Sequence, residues 1–303
     1  MERRHATASS VTVPDGSARR FCVTVLLDVF LVSSLSAQTG GVLAAVPGSA
    51  RAAGMGGAGA AIVGDAGAVF TNPAGLATVH RLALEASYES YPSGATLSTG
   101  ALALRAGRFT WGAGAAALGQ SYTSADLLGV SSLVFRTGLA AIGTSVKYVR
   151  ETVAGARADA WAGDVGLAIA VFDLMALGAS VQNIGGDLGG GSHLPRRTRA
   201  GFTMNYVDPQ GSYRLLTTVE GQWPSRATGG GSPFLVLGVE GGVVRPGLGL
   251  LARVGYVGHS VATRAAPFTW GGSLELGRLH LDYAYRADDT LGARQRMGLR
   301  WTP

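Results

Sequence analysis

The stretch Arg278-Leu279-His280-Leu281-Asp282-Tyr283-Ala284-Tyr285-Arg286 alternates apolar and polar side chains. One set of alternate positions carries Leu, Leu, Tyr and Tyr, and the other carries Arg, His, Asp, Ala and Arg. Successive side chains of a β-strand point to opposite faces of its sheet. This stretch therefore predicts a strand that separates apolar surroundings on one face from wet surroundings on the other.

The same alternation recurs along the chain from residue 81 to the end. In the last stretch, Ala293, Gln295, Met297, Leu299 and Trp301 alternate with Arg294, Arg296, Gly298 and Arg300. Such stretches, divided at turn signals, predict fourteen strands near 82–91, 94–105, 108–120, 127–137, 138–150, 157–171, 173–184, 198–207, 212–222, 233–243, 248–258, 267–276, 278–286 and 292–302. An even number of strands of about ten residues is typical of a barrel that crosses a membrane. We therefore predict an all-β fold, an antiparallel transmembrane β-barrel of about 14 strands over residues 81–303, with its longest loops on one side.

The composition agrees with apolar side chains dispersed at alternate positions. Hydrophobic residues make up 47% of the chain and charged residues 15%, yet no apolar run after the N-terminus is long enough for a transmembrane helix. The alternative is a soluble all-β sandwich or barrel with an unusually apolar surface. Aromatic residues near the predicted strand ends indicate belts at the two membrane interfaces, whereas in a sandwich they would form the core. These residues are Tyr91, Tyr122, Tyr148, Trp161, Tyr206, Trp223, Tyr256, Trp270, Tyr285 and Trp301.

Several function classes find no support in the residues. The formal net charge is +6, but the arginines are scattered singly, so the clustered basic footprint of a nucleic-acid-binding protein is missing. Cys22 is the only cysteine and the five histidines are dispersed, so no metal-ligand spacing or disulfide framework is visible. Phosphate-binding, metalloprotease and nucleophile-elbow motifs are also missing. We expect no cofactor, no metal and no nucleic-acid partner, and we expect that the protein is not an enzyme.

Residues 1–37 have the layout of a secretory signal peptide. Arg19 and Arg20 precede an apolar run, and Ser36-Ala37 offers a small-residue cleavage site before Gln38. The alternatives are an N-terminal membrane anchor and a disordered tail. Export across the inner membrane is the interpretation that we carry forward.

Residues 38–80 read differently from the chain that follows. Gly54 to Gly59 satisfies G-x-G-x-x-G, but no strand precedes it and no acidic residue lies about 20 positions on, so a dinucleotide site is not indicated. Small residues let one backbone approach another closely. We predict a hatch or plug that is threaded into the barrel, against the alternative of a surface loop. Its candidate residues are Arg51, Met55, Asn72, Pro73, Ala74, Gly75 and Leu76.

Polar residues on the other face of the last strands predict a network inside the barrel. Buried polar groups need hydrogen-bond partners, and these residues can serve one another: His280, Asp282, Arg286, Arg294, Arg296 and Arg300. Glutamates from other strands can join them: Glu85, Glu89, Glu151, Glu220, Glu240 and Glu275. The alternative is a hydrolase site in which His280 and Asp282, on one strand face, work with Ser273.

The two ends of the mature chain resemble a known group of proteins. Ser49-Ala50-Arg51-Ala52-Ala53-Gly54-Met55-Gly56-Gly57-Ala58-Gly59, Asp65-Ala66 and Asn72-Pro73-Ala74-Gly75-Leu76 are similar to the start of PorV/PorQ-type outer-membrane proteins, within the FadL-like fatty-acid transporter group. Leu281-Asp282-Tyr283-Ala284-Tyr285, Leu291-Gly292 and Met297-Gly298-Leu299 resemble the end of that family. The chain departs from it in having Gln295-Arg296 where the family commonly has a histidine, and in being compact.

The resemblance implies a fourteen-stranded barrel in the bacterial outer membrane whose Asn-Pro-Ala segment folds in as a hatch. It also implies either passage of hydrophobic small molecules or a part in type IX-like protein secretion, with the hatch as the gate. The implied partners are the lipid bilayer, the barrel-assembly machinery, and secretion-system proteins or hydrophobic small molecules. The alternatives are a scaffold or cargo-binding component that transports nothing, and a surface hydrolase.

Overall fold

The computed structural model of the chain describes residues 41–119, 125–153, 156–171, 174–188, 193–207, 211–225, 231–258, 265–288 and 293–303. The predicted signal peptide, the first residues of the predicted hatch (38–40) and Tyr122 lie outside these ranges.

Within the described residues the chain forms a closed antiparallel barrel of fourteen strands, in which each strand pairs with its sequence neighbours and the first pairs with the last. Every boundary agrees with its predicted position to within three residues, so the predicted fold is confirmed. The strands are β1 (Leu82–Ser90), β2 (Thr96–Ala106), β3 (Phe109–Gly119), β4 (Asp126–Thr137), β5 (Ala140–Val153), β6 (Ala156–Val171), β7 (Met175–Ile184), β8 (Arg197–Asn205), β9 (Tyr213–Pro224), β10 (Phe234–Arg245), β11 (Leu248–Val257), β12 (Ala265–Leu276), β13 (Leu279–Asp288) and β14 (Arg294–Trp301).

The barrel is apolar outside and polar inside. On β11, Arg253 is 1% exposed while Leu250 is 63% exposed, and on β1 the buried Glu85 and Glu89 alternate with the exposed Leu84 and Tyr88. A water-soluble sandwich requires the opposite arrangement, because exposing this much apolar surface to water is unfavourable. The soluble alternative is therefore wrong, and the outer wall has the character of a surface that faces hydrocarbon.

The two ends of the barrel differ in their connections. At one end, four strand pairs are joined by tight turns in which Gly107, Gly138, Gly247 and Gly277 adopt positive φ angles between 56° and 84°. Only glycine reaches this backbone region without steric cost. The other end carries the connections after β7 and β9, which are the longest breaks in the predicted pattern. We call these ends the turn end and the loop end.

Most of the predicted belt aromatics are outward-facing, but Tyr91 differs. Trp161, Tyr206, Trp223 and Trp270 are exposed on the wall. Tyr91 instead packs against the buried apolar cluster of the barrel interior, and Arg294 lies over its ring at 5.2 Å from the centroid. Tyr91 thus belongs to the loop-end mouth of the lumen and not to an outer belt.

Among the described residues, none of the helices has the length and apolar character needed to cross a membrane.

Candidate functional site

Residues 41–79, which we call the inner segment, pack against inward-facing residues on all sides of the barrel. A methyl group on Gly41 would lie 2.6 Å from Asp126 Oδ2, at the loop end, while Val79 leads into β1 at the turn end. The segment therefore runs through the lumen from the loop end to the turn end. Its short helices are α1 (Gly41–Ala45), α2 (Ala50–Gly54) and the 3₁₀ helices η1 (Ala66–Phe70) and η2 (Pro73–Thr78).

Two of these helices are capped by the side chain of the residue that precedes them. Ser49 Oγ accepts a hydrogen bond from Ala52 N at 2.9 Å and caps α2. Asn72 Oδ1 accepts from Ala74 N at 3.1 Å and caps η2, whose first residue, Pro73, has no N–H to satisfy. Helices of five or six residues are not stable alone in water. The inner segment therefore depends on the barrel for its shape.

Three glycines on adjacent strands form a close-fitting seat for the backbone of the inner segment around Asn72 and Ala60. A methyl group on Gly143 would lie 2.7 Å from Ala74 N, and one on Gly166 would overlap Asn72 Oδ1. On β7, a methyl group on Gly178 would overlap the carbonyl oxygen of Ala60. Since a Cβ atom at any of these positions has no room, the seat requires glycine on all three strands. We call Gly143, Gly166 and Gly178 the glycine seat.

The other predicted hatch residues are also buried against small wall residues. Leu76 and Ala74 are fully buried, and a methyl group on Gly112 of β3 would overlap Leu76. Met55 is fully buried and packs where Gly238 leaves room. Gly75 O accepts a hydrogen bond from Gly64 N at 2.9 Å, which joins the chain just before η1 to η2.

Asn72 joins the inner segment to the wall. Its side-chain amide is fully buried, and Nδ2 donates to Ala60 O at 2.6 Å and to Leu167 O of β6 at 3.0 Å. With the cap on Ala74 N, this one side chain satisfies three backbone groups. Leaving such buried groups unpaired costs about 1–3 kcal/mol each.

Wall side chains also bind the backbone of the glycine-rich stretch. Glu220 Oε2 accepts from the amides of Gly59 and Ala60, both at 2.7 Å. Thr269 Oγ1 accepts from Gly56 N at 2.9 Å and donates to Gly54 O at 3.0 Å. Within the G-x-G-x-x-G motif, the amides of Gly56 and Gly59 are therefore occupied by the protein's own side chains, and those of Met55, Gly57 and Ala58 by backbone carbonyls, which agrees with the interpretation that this motif is no dinucleotide site.

Six charged side chains form the centre of the lumen, and we call them the central ion cluster: Arg51, Asp65, Glu240, Arg253, Asp282 and Arg300. Arg51 Nη2 lies 2.7 Å from Glu240 Oε1 and Nη1 lies 3.3 Å from Asp65 Oδ2. Arg300 joins Asp65 at 2.9 Å to Asp282 at 2.7 Å, and Arg253 joins Glu240 to Asp282. Three cations balance three anions, and Arg51 and Asp65 come from the inner segment.

The cluster holds Asp65 in its charged form. Both of its oxygens face guanidinium groups, with Arg300 Nη1 at 2.9 Å and Arg51 Nη1 at 3.3 Å, and such contacts favour the ionised carboxylate. At neutral pH the contact between the inner segment and the wall is therefore ionic.

The structure divides the predicted lumen network between different partners. Asp282 and Arg300 lie together in the central ion cluster, whereas Arg296 Nε donates to Glu89 Oε2 at 2.7 Å. Arg286 Nε donates to Ala266 O at 3.1 Å, and Arg294 lies over Tyr91. Sequence reasoning missed Arg253 and Asp65. The inward position of Arg253 in the alternation of β11 was a usable signal, but Asp65 follows no pattern that could have placed it.

The hydrolase alternative finds no suitable arrangement among these residues. Ser273 pairs with Asp282 in the ladder between β12 and β13. His280 Nδ1, however, lies 3.0 Å from Glu275, and Asp282 is held by Arg253 and Arg300. The described residues thus contain no serine–histidine–aspartate relay here. They also contain no group of three or more His, Cys, Asp or Glu side chains that could hold a metal ion.

Removing one partner of the central ion cluster is expected to loosen the inner segment. Arg51→Met leaves Glu240 and Asp65 with one cation fewer in a largely buried site, which costs about 3 kcal/mol. We expect amide hydrogen exchange in residues 49–60 to rise about a hundredfold, as measured by mass spectrometry, and the double variant R51M/E240Q to recover part of the protection.

The matched control is Arg150→Met. Arg150 pairs with Asp159 at 2.8 Å on the surface, where both side chains are more than a third exposed and such a pair contributes little. Equal exchange rates in R51M and R150M would contradict an anchoring role for the cluster.

No protein-family model and no curated protein matches this chain. Its fold resembles solved barrels. The toluene transporter TbuX of Ralstonia pickettii superposes with a TM-score of 0.58 at 14% identity, over 85% of this chain and 99% of that chain. The CymD monoaromatic hydrocarbon channel gives 0.58 at 13%, over 88% and 98%. A FadL homologue of Pseudomonas aeruginosa gives 0.53 at 12%, over 84% and 98%.

These identities establish a likeness of fold alone. The FadL homologue bears the name of the wider group to which the sequence resemblance pointed, while none of the three is a PorV/PorQ-type protein by name. The chain thus shares its barrel with proteins described as transporters and channels for aromatic hydrocarbons.

Proposed function

We propose that this protein is an outer-membrane barrel through which small hydrophobic molecules pass, and that the inner segment is the gate. The observation that carries the proposal is the way the segment is held. Its contacts with the wall are hydrogen bonds, ion pairs, close backbone packing and a shared apolar cluster, and the ring of strands is complete without them. Such a segment can leave its seat while the barrel stays closed.

The fold likeness supports the direction of this proposal. Two of the similar structures are described as carrying toluene or monoaromatic hydrocarbons. In outer-membrane barrels short turns face the periplasm and long loops face the outside, which puts the loop end outward. A molecule would then enter at Gly41 and leave past Val79.

A reversible cross-link tests the gate. Val69 in η1 and Gly114 in β3 are in direct contact, since a Cβ atom on Gly114 would lie 2.8 Å from Val69 Cγ1, and the nearest atoms around it belong to side chains. Paired cysteines at these positions are expected to form a disulfide that fixes the inner segment to the wall. We expect uptake of radiolabelled naphthalene by cells with a lipopolysaccharide outer leaflet to fall to background when the pair is oxidised and to return on reduction.

The paired-serine variant is the control for the two substitutions. Because Cys22 lies in the predicted signal peptide, it does not compete for the disulfide. Uptake that stays the same in the oxidised and reduced protein would rule out gating by this segment.

A part in type IX-like secretion, or in cargo binding without transport, rests on the resemblance of the chain ends alone. Co-purification of exported proteins or secretion components with the chain, together with background uptake in every cysteine state, would favour that function over passage.

A further inference from the structure

Arginines gather at the turn end of the barrel. Seven of them lie within one residue of a strand end there, each beside a different strand. Those strands are β1 to β4, β9, β10 and β13, so the positive charges are spread around much of the circumference. We call these residues the arginine rim: Arg81, Arg105, Arg108, Arg136, Arg214, Arg245 and Arg278.

The guanidinium groups of the arginine rim keep their charge. Arg105 Nε donates to Gly107 O at 3.1 Å, and Arg136 Nε donates to Gly138 O at 3.2 Å, in the turns after β2 and β4. A carbonyl oxygen holds a guanidinium in place without neutralising it. Four of the seven are exposed: Arg81, Arg108, Arg245 and Arg278.

Carboxylates that could neutralise the arginine rim are scarce. Within the described ranges no ion pair includes a member of the rim. Glu275, near the end of β12, already lies 3.0 Å from His280 Nδ1. Asp173 and Asp208 belong to two turn-end connections but lie outside the described ranges, and the seven arginines outnumber them in any case. The turn end therefore has an excess of positive charge.

The loop end carries both signs of charge. Arg150 pairs there with Asp159 at 2.8 Å. Other described acidic residues at this end accompany its arginines: Asp126, Asp187 and Asp288. The charge of the barrel is thus asymmetric along its axis, and the unbalanced arginines are at the turn end.

The arginine rim lies where the apolar wall ends. Outward-facing Leu104 and Phe109 are 45% and 52% exposed, and each is next in sequence to an arginine of the rim. A strand rises about 3.3 Å per residue, and an arginine can extend its charged group beyond the hydrocarbon along a flexible stem. The headgroup layer on each side of a bilayer is about 5–8 Å thick. Four of the turns are only two residues long, so the rim lies within that layer.

We propose that the arginine rim binds the phosphate groups of anionic phospholipids in the leaflet at the turn end. A guanidinium binds phosphate oxygens through two parallel charge-assisted hydrogen bonds. Headgroups surround the barrel and can reach arginines on seven strands, whereas a protein partner would cover one patch. The inference goes beyond the passage of small molecules and takes only the membrane location and orientation from the proposed function. In that orientation the leaflet faces the periplasm.

Electron paramagnetic resonance of spin-labelled lipids tests the proposal, because it separates lipid held at the protein surface from bulk lipid. The mature chain is reconstituted in phosphatidylcholine vesicles with a trace of spin-labelled phosphatidylglycerol or spin-labelled phosphatidylcholine. We expect the barrel to hold phosphatidylglycerol at least about threefold more strongly at low salt. The preference should fall as salt is raised, since salt screens exposed charges.

Triple variants locate the preference on the barrel. R108Q/R245Q/R278Q removes three exposed charges of the rim and should bring the preference close to one. R108K/R245K/R278K keeps these charges and should keep most of the preference. The matched control, R150Q/R157Q/R196Q, removes three arginines at the loop end and should behave as the unchanged protein does. Heat-dependent gel mobility identifies the folded variants, and a single Arg278→Gln, with a partial loss expected, serves if the rim triple does not fold.

Three results would overturn the proposal. The first is an unchanged protein that shows no preference, and the second is an equal loss in the two glutamine triples. The third is a rim that binds a fluorescent hexaglutamate peptide in phosphatidylcholine vesicles while showing no lipid preference, which would assign it to an acidic protein partner.

The outcomes also separate this inference from the proposed function. A lipid preference without gated naphthalene uptake would keep the role of the arginine rim and remove the transport function. Gated uptake by a barrel without lipid preference would keep the gate and remove the role of the rim.

Discussion

Asn72→Asp is expected to unseat the inner segment while leaving the barrel folded. The aspartate keeps an oxygen that can cap η2 through Ala74 N, so the local turn retains its acceptor. Its second oxygen, however, replaces the amide that donates to Ala60 O at 2.6 Å and Leu167 O at 3.0 Å. Two hydrogen bonds are thus replaced by two oxygen–oxygen repulsions, and a full negative charge is placed on a side chain with 0% exposure. We expect the cost to reach several kcal/mol.

The measurement is ionic conductance of the purified barrel in planar bilayers. The unchanged protein is expected to be closed for most of the recording, and N72D to show long-lived open events. Asn72→Ser is the matched variant, because serine also caps helices but brings neither the charge nor the repulsion. N72S should therefore lie between the two. A closed N72D, or equal conductance of N72D and N72S, would show that the amide does not hold the gate.

The barrel could be predicted from the sequence because its cause is local. Each strand must divide apolar from polar residues, so stretches such as Arg278 to Arg286 carry the signal, and the strand count and boundaries follow. The placement of the inner segment has a different cause. Asp65 meets Arg300 across 235 residues of chain, and no periodic pattern records that contact.

The predicted lumen network shows the same limit. Its members could be listed because they all face inward, but partners depend on strand position around the barrel and height along it. Arg296 on β14 therefore pairs with Glu89 on the neighbouring strand β1. It does not pair with Asp282, although both were predicted members of the same network. The small residues of the wall are a third case. Their positions can be read from the sequence, but only the strand register shows that three of them meet the inner segment at one place.

Gly178→Val is expected to have a large effect on the gate, and it isolates the fit between wall and segment. A Cβ atom at this position overlaps Ala60 O, a backbone atom that cannot swing aside as a side chain can. The segment must move or the strand must bend, which costs about 1–3 kcal/mol or more. Valine also suits a strand better than glycine does, so the wall itself should not weaken.

Gly129→Val provides the comparison, because a Cβ atom on Gly129 meets nothing within 4 Å. Both variants replace a strand glycine with valine, but only the valine at position 178 would point towards the inner segment. We expect G178V to raise naphthalene uptake severalfold and to speed amide exchange around Ala60. G129V should match the unchanged protein in both measurements. Both should keep the heat-dependent gel mobility of a folded barrel. Because the wall stays intact in each, identical uptake by G178V and G129V would mean that the seat at Gly143, Gly166 and Gly178 does not hold the gate shut.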